Sequence, residues 1–147
     1  MTSAFTLVTR CEIPREALFD ASLSIDAHRE SMAASGEQAV AGVTSGTIGL
    51  DETVTWRARH FGIWFTMTSK VTALDRPGRF VDEQVHGPFR SFHHEHRFER
   101  DGETTVMTDT LTIESPVFGV LAERFILVPY LRRLIGERND YLVATAV

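Results

Sequence analysis

Cysteine, lysine and long apolar runs are scarce in this sequence of 147 residues. The single cysteine, Cys11, cannot form an intrachain disulfide, and no Cys or His residues have the spacing of a structural zinc site. No apolar run approaches the roughly 18 residues of a membrane span, and the N-terminus lacks the basic and apolar regions of a signal peptide. We therefore expect a soluble protein of a reducing compartment, the cytoplasm, with no membrane span.

Composition and missing motifs exclude further function classes. Fifteen basic and twenty acidic side chains give a net charge of -5, the wrong sign for neutralising phosphates, so no nucleic-acid partner is expected. The sequence has no glycine-rich phosphate loop, no dinucleotide fingerprint and no serine in a nucleophile elbow. We expect no cofactor, and a single domain over residues 1–147.

In the first part of the chain, an alternation of apolar and polar residues is followed by a pattern typical of helices. Residues 4–13 alternate apolar and polar side chains, as a half-buried strand does. Pro14 suits the first position of a helix, and Ser24 is a plausible N-cap for a second short helix reaching about Ala34. One strand followed by two short helices is the predicted beginning of the fold.

The rest of the chain predicts a sheet and a long helix. Residues 38–114 form short alternating runs separated by turn residues, which predicts six antiparallel strands. Beyond Pro116 the period becomes helical, and Pro129 predicts a kink or break near Val128 to Tyr130. The fold class is therefore α+β: a curved seven-stranded antiparallel sheet wrapped around a long C-terminal helix.

Six short segments carry a family resemblance. They are residues 12–19 (EIPREALF), 54–57 (VTWR), 79–82 (RFVD), 87–89 (GPF), 94–98 (HEHRF) and 105–109 (TVMTD). Together they resemble the SRPBCC superfamily, also called START-like or Bet v 1-like, and within it the polyketide cyclase/dehydrase-like branch. The resemblance spans residues 4–144 and implies a helix-grip fold whose cavity holds a lipid, sterol, polyketide or other hydrophobic molecule. It does not imply a reaction.

The strongest hairpin signal predicts a strand register. Asp101 and Gly102 suit the two loop positions of a type I′ turn, which needs positive φ at both. The predicted partners are then Phe98 with Thr105, His96 with Met107, His94 with Asp109, and Phe92 with Leu111.

Polar residues share the face that these strands are expected to bury. His94, His96 and Asp109 have the same parity as the apolar residues, and Asp82 and Gln84 lie on that face of the preceding strand. Asp82, His94 and Asp109 would form one row across three strands. The row could pin the register and keep His94 charged, orient a ligand, or support acid–base catalysis with His94 as proton carrier. No metal site is expected, since i and i+2 histidines on a strand are an unspecific signal.

The expected cavity combines these polar residues with apolar walls. Trp56 should face it, Trp64 should face away, and His28 should lie on a solvated helix face. Arg132 falls on the apolar stripe of the C-terminal helix and should reach towards solvent. The candidate ligand-binding residues are Trp56, Phe65, Met67, Phe80, Asp82, Gln84, Phe92, His94, His96, Met107, Asp109, Leu121, Phe125 and Val128.

Three classes of function remain open at this point. The first is non-covalent binding of a hydrophobic small molecule, by a monomer or weak homodimer. The second is a cyclase, dehydratase or isomerase that moves protons near a carbonyl group, with His94, Asp109 and Asp82 as candidate catalytic residues. The third is an accessory protein-interaction module, for which a filled cavity and an exposed apolar patch are expected.

Overall fold

Seven strands form a single sheet in the structure, a computed structural model that describes residues 2–115 and 122–146. They are β1 (Ser3–Cys11), β2 (Gln38–Gly42), β3 (Thr53–His60), β4 (Ile63–Asp75), β5 (Arg79–His86), β6 (Ser91–Asp101) and β7 (Thr104–Glu114). All neighbours pair antiparallel, in the order β1-β7-β6-β5-β4-β3-β2. The predicted seven-stranded antiparallel sheet is confirmed.

The helices pack on this sheet from two parts of the chain. They are α1 (Arg15–Ser22), α2 (Ile25–Ser31), a 3-10 turn (Ala33–Ser35), a π-helical turn (Glu123–Leu127) and α3 (Val128–Thr145). The Ser24 hydroxyl accepts the Ala27 N–H at 3.1 Å and so caps α2 as predicted. Within the described ranges, no helix is long and apolar enough to cross a membrane.

The core consists of two apolar clusters. The Phe19 cluster lies beneath α1, where the Phe19 ring meets those of Phe80 and Phe98 edge-on at 5.5 and 5.2 Å. The Phe5 cluster comprises Phe5, Leu111, Ile113, Leu127 and Ile135. On β6 the inward positions run Phe92, His94, His96 and Phe98, so two histidines lie between the clusters. That order places polar groups in the middle of an otherwise apolar interior.

The β6–β7 register differs from the predicted one by two residues. Asp101 pairs with Thr104, so the loop is Gly102 and Glu103, and His96 rather than His94 lies opposite Asp109. Of the two loop residues only Gly102 has a positive φ, 63°, as in a type II′ turn rather than type I′. Because the shift is even, every side chain stays on its predicted face.

At the expected kink or break near Val128 to Tyr130 the helix is not interrupted, but it changes from a π-helical to an α-helical turn just before Pro129. The π-helical turn ends at Leu127, and α3 begins with Val128, so Pro129 occupies the first turn, where its missing N–H is not needed. Glu123 is the inward residue of this turn. Its carboxylate accepts the Ser3 hydroxyl at 3.0 Å and the backbone N–H of Ser115. The turn therefore anchors the start of the helix to the sheet through a buried carboxylate.

Gly42 at the end of β2 should tolerate no side chain. Its φ is 71°, and a Cβ there would overlap the Thr53 backbone carbonyl. Gly62 in the β3–β4 turn has a similar φ of 75° but open space around it. We expect Gly62→Ala to cost only the left-handed backbone penalty, about 1–2 kcal/mol. Gly42→Ala should cost a further ~1–3 kcal/mol for the clash, measured by urea unfolding. Equal losses for the two variants would contradict the placement of β2.

Candidate functional site

A cavity of about 260 Å³ lies between the inner face of the sheet and helices α2 and α3. Apolar cavities of about 150 Å³ hold benzene, so this one has room for a larger molecule. Its walls are mainly aliphatic and aromatic. The apolar side chains include Leu23, Ile25, Met32, Ile48, Val54, Trp56, Phe65, Met67, Val71, Phe80, Phe92, Leu127, Leu131, Leu134 and Ile135.

Most of the candidate ligand-binding residues from the strands reach the cavity. Trp64 points away, as expected, and lies half exposed beneath the Arg57 guanidinium, 4.1 Å from its ring centre. The candidates that line the cavity are Trp56, Phe65, Met67, Phe80, Asp82, Phe92, His94 and His96.

Three strand candidates, Gln84, Met107 and Asp109, do not line the cavity, and Asp109 is fully buried. Gln84 instead closes the β5–β6 connection, where its amide donates to the Phe89 carbonyl at 2.7 Å and accepts the Phe89 N–H at 3.1 Å. Met107 is fully buried in the Phe19 cluster, because the true register places it opposite Phe98 instead of His96. The positions of Gln84 and Met107 depend on hydrogen bonding within a turn and on strand register, neither of which can be predicted from alternation alone.

Of the helix candidates, Phe125 is the one that was predicted on the wrong face. Phe125 is 68% exposed, because Glu123 takes the inward position and a residue two places further on points to solvent. Val128 packs against the Phe5 cluster and does not line the cavity. Leu127 and Leu131 provide that wall instead. Leu121 lies outside the described residues.

Asp109 is the centre of a buried polar cluster. The residue has no solvent exposure. One oxygen, Oδ1, lies 2.8 Å from His94 Nε2, 3.2 Å from His96 Nδ1 and 3.1 Å from Arg138 Nη2. The other, Oδ2, accepts the Asn139 side-chain amide at 2.7 Å. Four donors on two elements, β6 and α3, thus converge on a single carboxylate of β7.

His96 joins Asp109 to the second carboxylate. Its Nε2 lies 2.7 Å from Asp82 Oδ2, so the ring bridges the two acids. The same ring is sandwiched between His94 at 3.7 Å and Phe80 at 4.0 Å between centroids. The predicted row of Asp82, His94 and Asp109 is therefore replaced by a cluster in which His96 is the bridge.

His96 is the charged histidine of the pair. Burial opposes its charge, but hydrogen bonds from both ring nitrogens to Asp109 and Asp82 raise its pKa above the usual value. The pKa values of the two carboxylic acids, Asp82 and Asp109, shift in the opposite direction, downwards. Burial acts to raise the pKa of each, yet the His96 contact brings that of Asp82 down to about 2, and Arg138 holds that of Asp109 well below its usual range.

His94 is neutral, which contradicts the interpretation in which the row keeps its ring charged. Burial, followed by the charge on neighbouring His96, lowers its pKa to about 4, and its bond to Asp109 does not compensate. Because a carboxylate only accepts, His94 Nε2 must carry the proton and Nδ1 keeps a lone pair. Two carboxylates, one guanidinium and one imidazolium leave the cluster without net charge.

Arg138 and Asn139 complete the cluster and were not among the predicted site residues. The guanidinium of Arg138 is buried and donates from Nε and Nη2 to the side-chain oxygen Oδ1 of Asn139, at 3.1 and 2.9 Å. Arg132 is exposed, as expected, with its guanidinium 5.8 Å from the Phe5 ring centre. The available signal was helical spacing, since Arg138 lies three residues beyond the buried Ile135.

Further titratable residues line the cavity at its edge. His28 was expected on a solvated face, but its ring lies 4.4 Å from that of Trp56, and its Nε2 is 2.8 Å from Glu37 Oε1. His60 Nδ1 lies 2.6 Å from the Tyr130 hydroxyl, which connects β3 to the start of α3. Burial lowers the pKa of His60. These contacts fix both helices over the sheet.

Asp82, His94 and His96 are also the residues that could hold a metal ion. They offer one ligand atom each within 4.8 Å of one another, a two-histidine, one-carboxylate set. Their bonding favours protons instead, because His94 Nε2 and both His96 nitrogens face carboxylates. The guanidinium of Arg138 also lies 3.5 Å from His96 Nδ1, where its charge opposes a cation. The geometry therefore fits an ion-paired network better than a metal centre.

Solved structures provide the comparison, since no family model and no curated protein matches the chain. TTHA0849 from Thermus thermophilus is 17% identical, with a TM-score of 0.76 over 99% of this chain and 100% of that one. Ginseng major latex-like protein 151 from Panax ginseng is 15% identical, with a TM-score of 0.74 over 99% and 98%. The ZhuI aromatase/cyclase from Streptomyces sp. R1128 is 14% identical, with a TM-score of 0.77 over 99% and 94%.

The chain has a Bet v 1-like helix-grip fold. The fold that the resemblance of the six short sequence segments implies is thereby confirmed. At these identities the likeness concerns the fold alone, and the cavity residues have to be interpreted from their own chemistry.

Removing Arg138 from this helix-grip domain should be strongly destabilising. Arg138→Met leaves the buried Asp109 carboxylate without its guanidinium, and breaking a buried pair in this way costs about 3–5 kcal/mol. Arg133→Met, on the same helix, removes an exposed guanidinium 3.7 Å from Glu137 and should change stability little. Chemical unfolding of both variants measures the two losses of stability. Similar losses would show that the ion pair between Arg138 and Asp109 is not buried.

The neutral state of His94 should make the protein sensitive to mild acid. Its pKa is 6.5 in a model peptide and about 4 when folded, so the unfolded chain binds the proton more readily between those values. The free energy of unfolding should fall by about 3 kcal/mol as the pH drops from about 6.5 to 4. His96 has a raised pKa, so its contribution is complete below about 6.5 and is lost only at higher pH.

His94→Gln provides the check on this assignment. The variant lacks the titrating ring, so its stability should fall less steeply over the same pH interval, as measured by urea unfolding at several pH values. Identical slopes for the variant and the unsubstituted protein would contradict a neutral, buried His94.

Proposed function

We propose that this protein binds a hydrophobic small molecule non-covalently, a lipid, polyketide or similar compound, as a cytoplasmic monomer or weak homodimer. The observation that carries the proposal is the cavity of about 260 Å³, apolar on most sides and polar at one patch. Such a combination is typical of small-molecule sites, where apolar walls supply affinity and a few polar groups fix orientation. The fold, shared with latex-like and aromatase/cyclase proteins, agrees with it.

An open cavity argues against a purely structural interaction module. For that class the interior is expected to be filled, as in ordinary close-packed domains. Here Trp56, Phe65 and Phe92 line space that a ligand can occupy, and Phe61, 58% exposed, lines it where it meets the surface. The ligand-binding interpretation accounts for both the space and the opening.

Acid–base catalysis is the second candidate, supported by the cluster itself. A neutral His94 beside a charged His96 places a proton acceptor and a proton donor on one strand. An effective general base has a pKa near the working pH, however, and that of His94 is lowered to about 4. Both protons of His96 also face carboxylates. Binding is therefore the better-supported function, and a cyclase or dehydratase reaction would need the ligand to alter these pKa values.

Native mass spectrometry of freshly purified protein tests the binding function first. A co-purifying small molecule is the expected result. In parallel, the neutral apolar dye N-phenyl-1-naphthylamine should become fluorescent on binding to ligand-free protein, with a stoichiometry of one per chain.

A cavity-filling variant makes this test specific. Leu134 lines the cavity from α3, whereas Asp140 is exposed on the same helix. We expect Leu134→Trp to weaken dye binding at least about tenfold, near 1.4 kcal/mol, and Asp140→Trp to leave it unchanged. Equal binding by both variants, or no dye binding by the unsubstituted protein, would contradict the proposed function.

A further inference from the structure

The charged groups of the cluster differ in how far they open to the cavity. Asp82 is 25% exposed, whereas Arg138 is 6%, His96 1% and Asp109 0% exposed. His94, the neutral member, is 7% exposed. Asp82 also lines the cavity directly. The Asp82 carboxylate is therefore the charged group of the cluster that is most accessible to a bound molecule.

The hydrogen-bonding capacity left on Asp82 and His94 is that of acceptors. Asp82 Oδ2 faces His96 Nε2, while Oδ1 has no hydrogen-bond partner within residues 2–115 and 122–146. The lone pair on His94 Nδ1 has none in the same ranges. The His96 protons face the two carboxylates. Arg138 uses Nε and Nη2 within the cluster, and its Nη1 has no hydrogen-bond partner in the described ranges. A ligand group placed against Asp82 Oδ1 or His94 Nδ1 must therefore be a hydrogen-bond donor.

The charge balance of the cluster limits the charge of the ligand. The carboxylates of Asp82 and Asp109 are matched by Arg138 and His96. A ligand carboxylate would add an uncompensated negative charge beside Asp82 in an apolar cavity, which is costly. An uncharged hydroxyl group adds no charge and supplies the missing donor to a charged acceptor.

We propose that Asp82 makes the cavity selective for uncharged hydrophobic ligands that carry a hydroxyl group, alcohols or phenols, and that it rejects carboxylates. This inference rests on the proposed binding function and adds the chemical class of the ligand. Asp82 acts as the specificity-determining residue, and its Oδ1 accepts the ligand hydroxyl proton.

Three naphthalene derivatives of one skeleton test the selectivity by titration calorimetry at pH 7. 2-Naphthol offers a donor, 2-methoxynaphthalene has the oxygen without the proton, and 2-naphthoate is an anion. We expect 2-naphthol to bind at least about tenfold more tightly than either of the others. Naphthoate binding as tightly as naphthol, or methoxynaphthalene binding as tightly as naphthol, overturns the inference and leaves the binding function standing. If none of the three binds, the proposed function and this inference fail together.

Two variants then assign the selectivity to one side chain. Asp82→Asn should remove most of the preference for naphthol over naphthoate, while unchanged methoxynaphthalene affinity reports an intact cavity. Glu83→Gln removes the same charge from the next residue, whose side chain lies on the other face of β5, and should keep the preference. A preference that survives Asp82→Asn, or is lost equally in Glu83→Gln, overturns the role of Asp82. Should Asp82→Asn fail to fold, the comparison of the three ligands on the unsubstituted protein still decides the ligand class.

Discussion

A carboxylate without solvent exposure, that of Asp109, imposes the constraint on which the interior depends. Burying such a group is tolerable only when charges and hydrogen bonds compensate for its lost hydration. His94 and His96 supply donors from β6, and Arg138 and Asn139 supply them from α3. The helix is thereby held at a defined height over the sheet, and the space left beside this contact is the cavity.

Alternation along the strands was sufficient to predict which polar residues share the inner face. Asp82, His94, His96 and Asp109 do meet, although the predicted register was wrong by two residues. The face was predicted correctly because strand side chains alternate between the two faces of the sheet, so a register shift of two residues changes the cross-strand partners but not the face. Which residue occupies the left-handed position of a two-residue turn decides the partners, and an Asp-Gly pair fits more than one turn type.

The helical half of the site was less predictable. A π-helical turn has more residues per turn than an α-helix, so a pattern of three- and four-residue steps does not define which residues face inward. Phe125 was therefore predicted to face inward, whereas Glu123 is the buried residue. Arg138 was missed because a charged residue is normally predicted to be exposed, and its burial depends on Asp109 across the interior. The same dependence decides which histidine is charged, since only the three-dimensional arrangement shows that His96 has two carboxylate partners and His94 has one.

The charge balance of the cluster therefore depends on the protonation of two adjacent rings, those of His94 and His96. Nitrogen-15 chemical shifts of histidine-labelled protein at pH 7, assigned with His94→Gln and His96→Gln variants, report the proton on each ring nitrogen directly. The cluster geometry predicts protons on both nitrogens of His96 and on Nε2 alone of His94. A doubly protonated His94, or a His94 proton on Nδ1, would contradict the neutral cluster organised by Asp109.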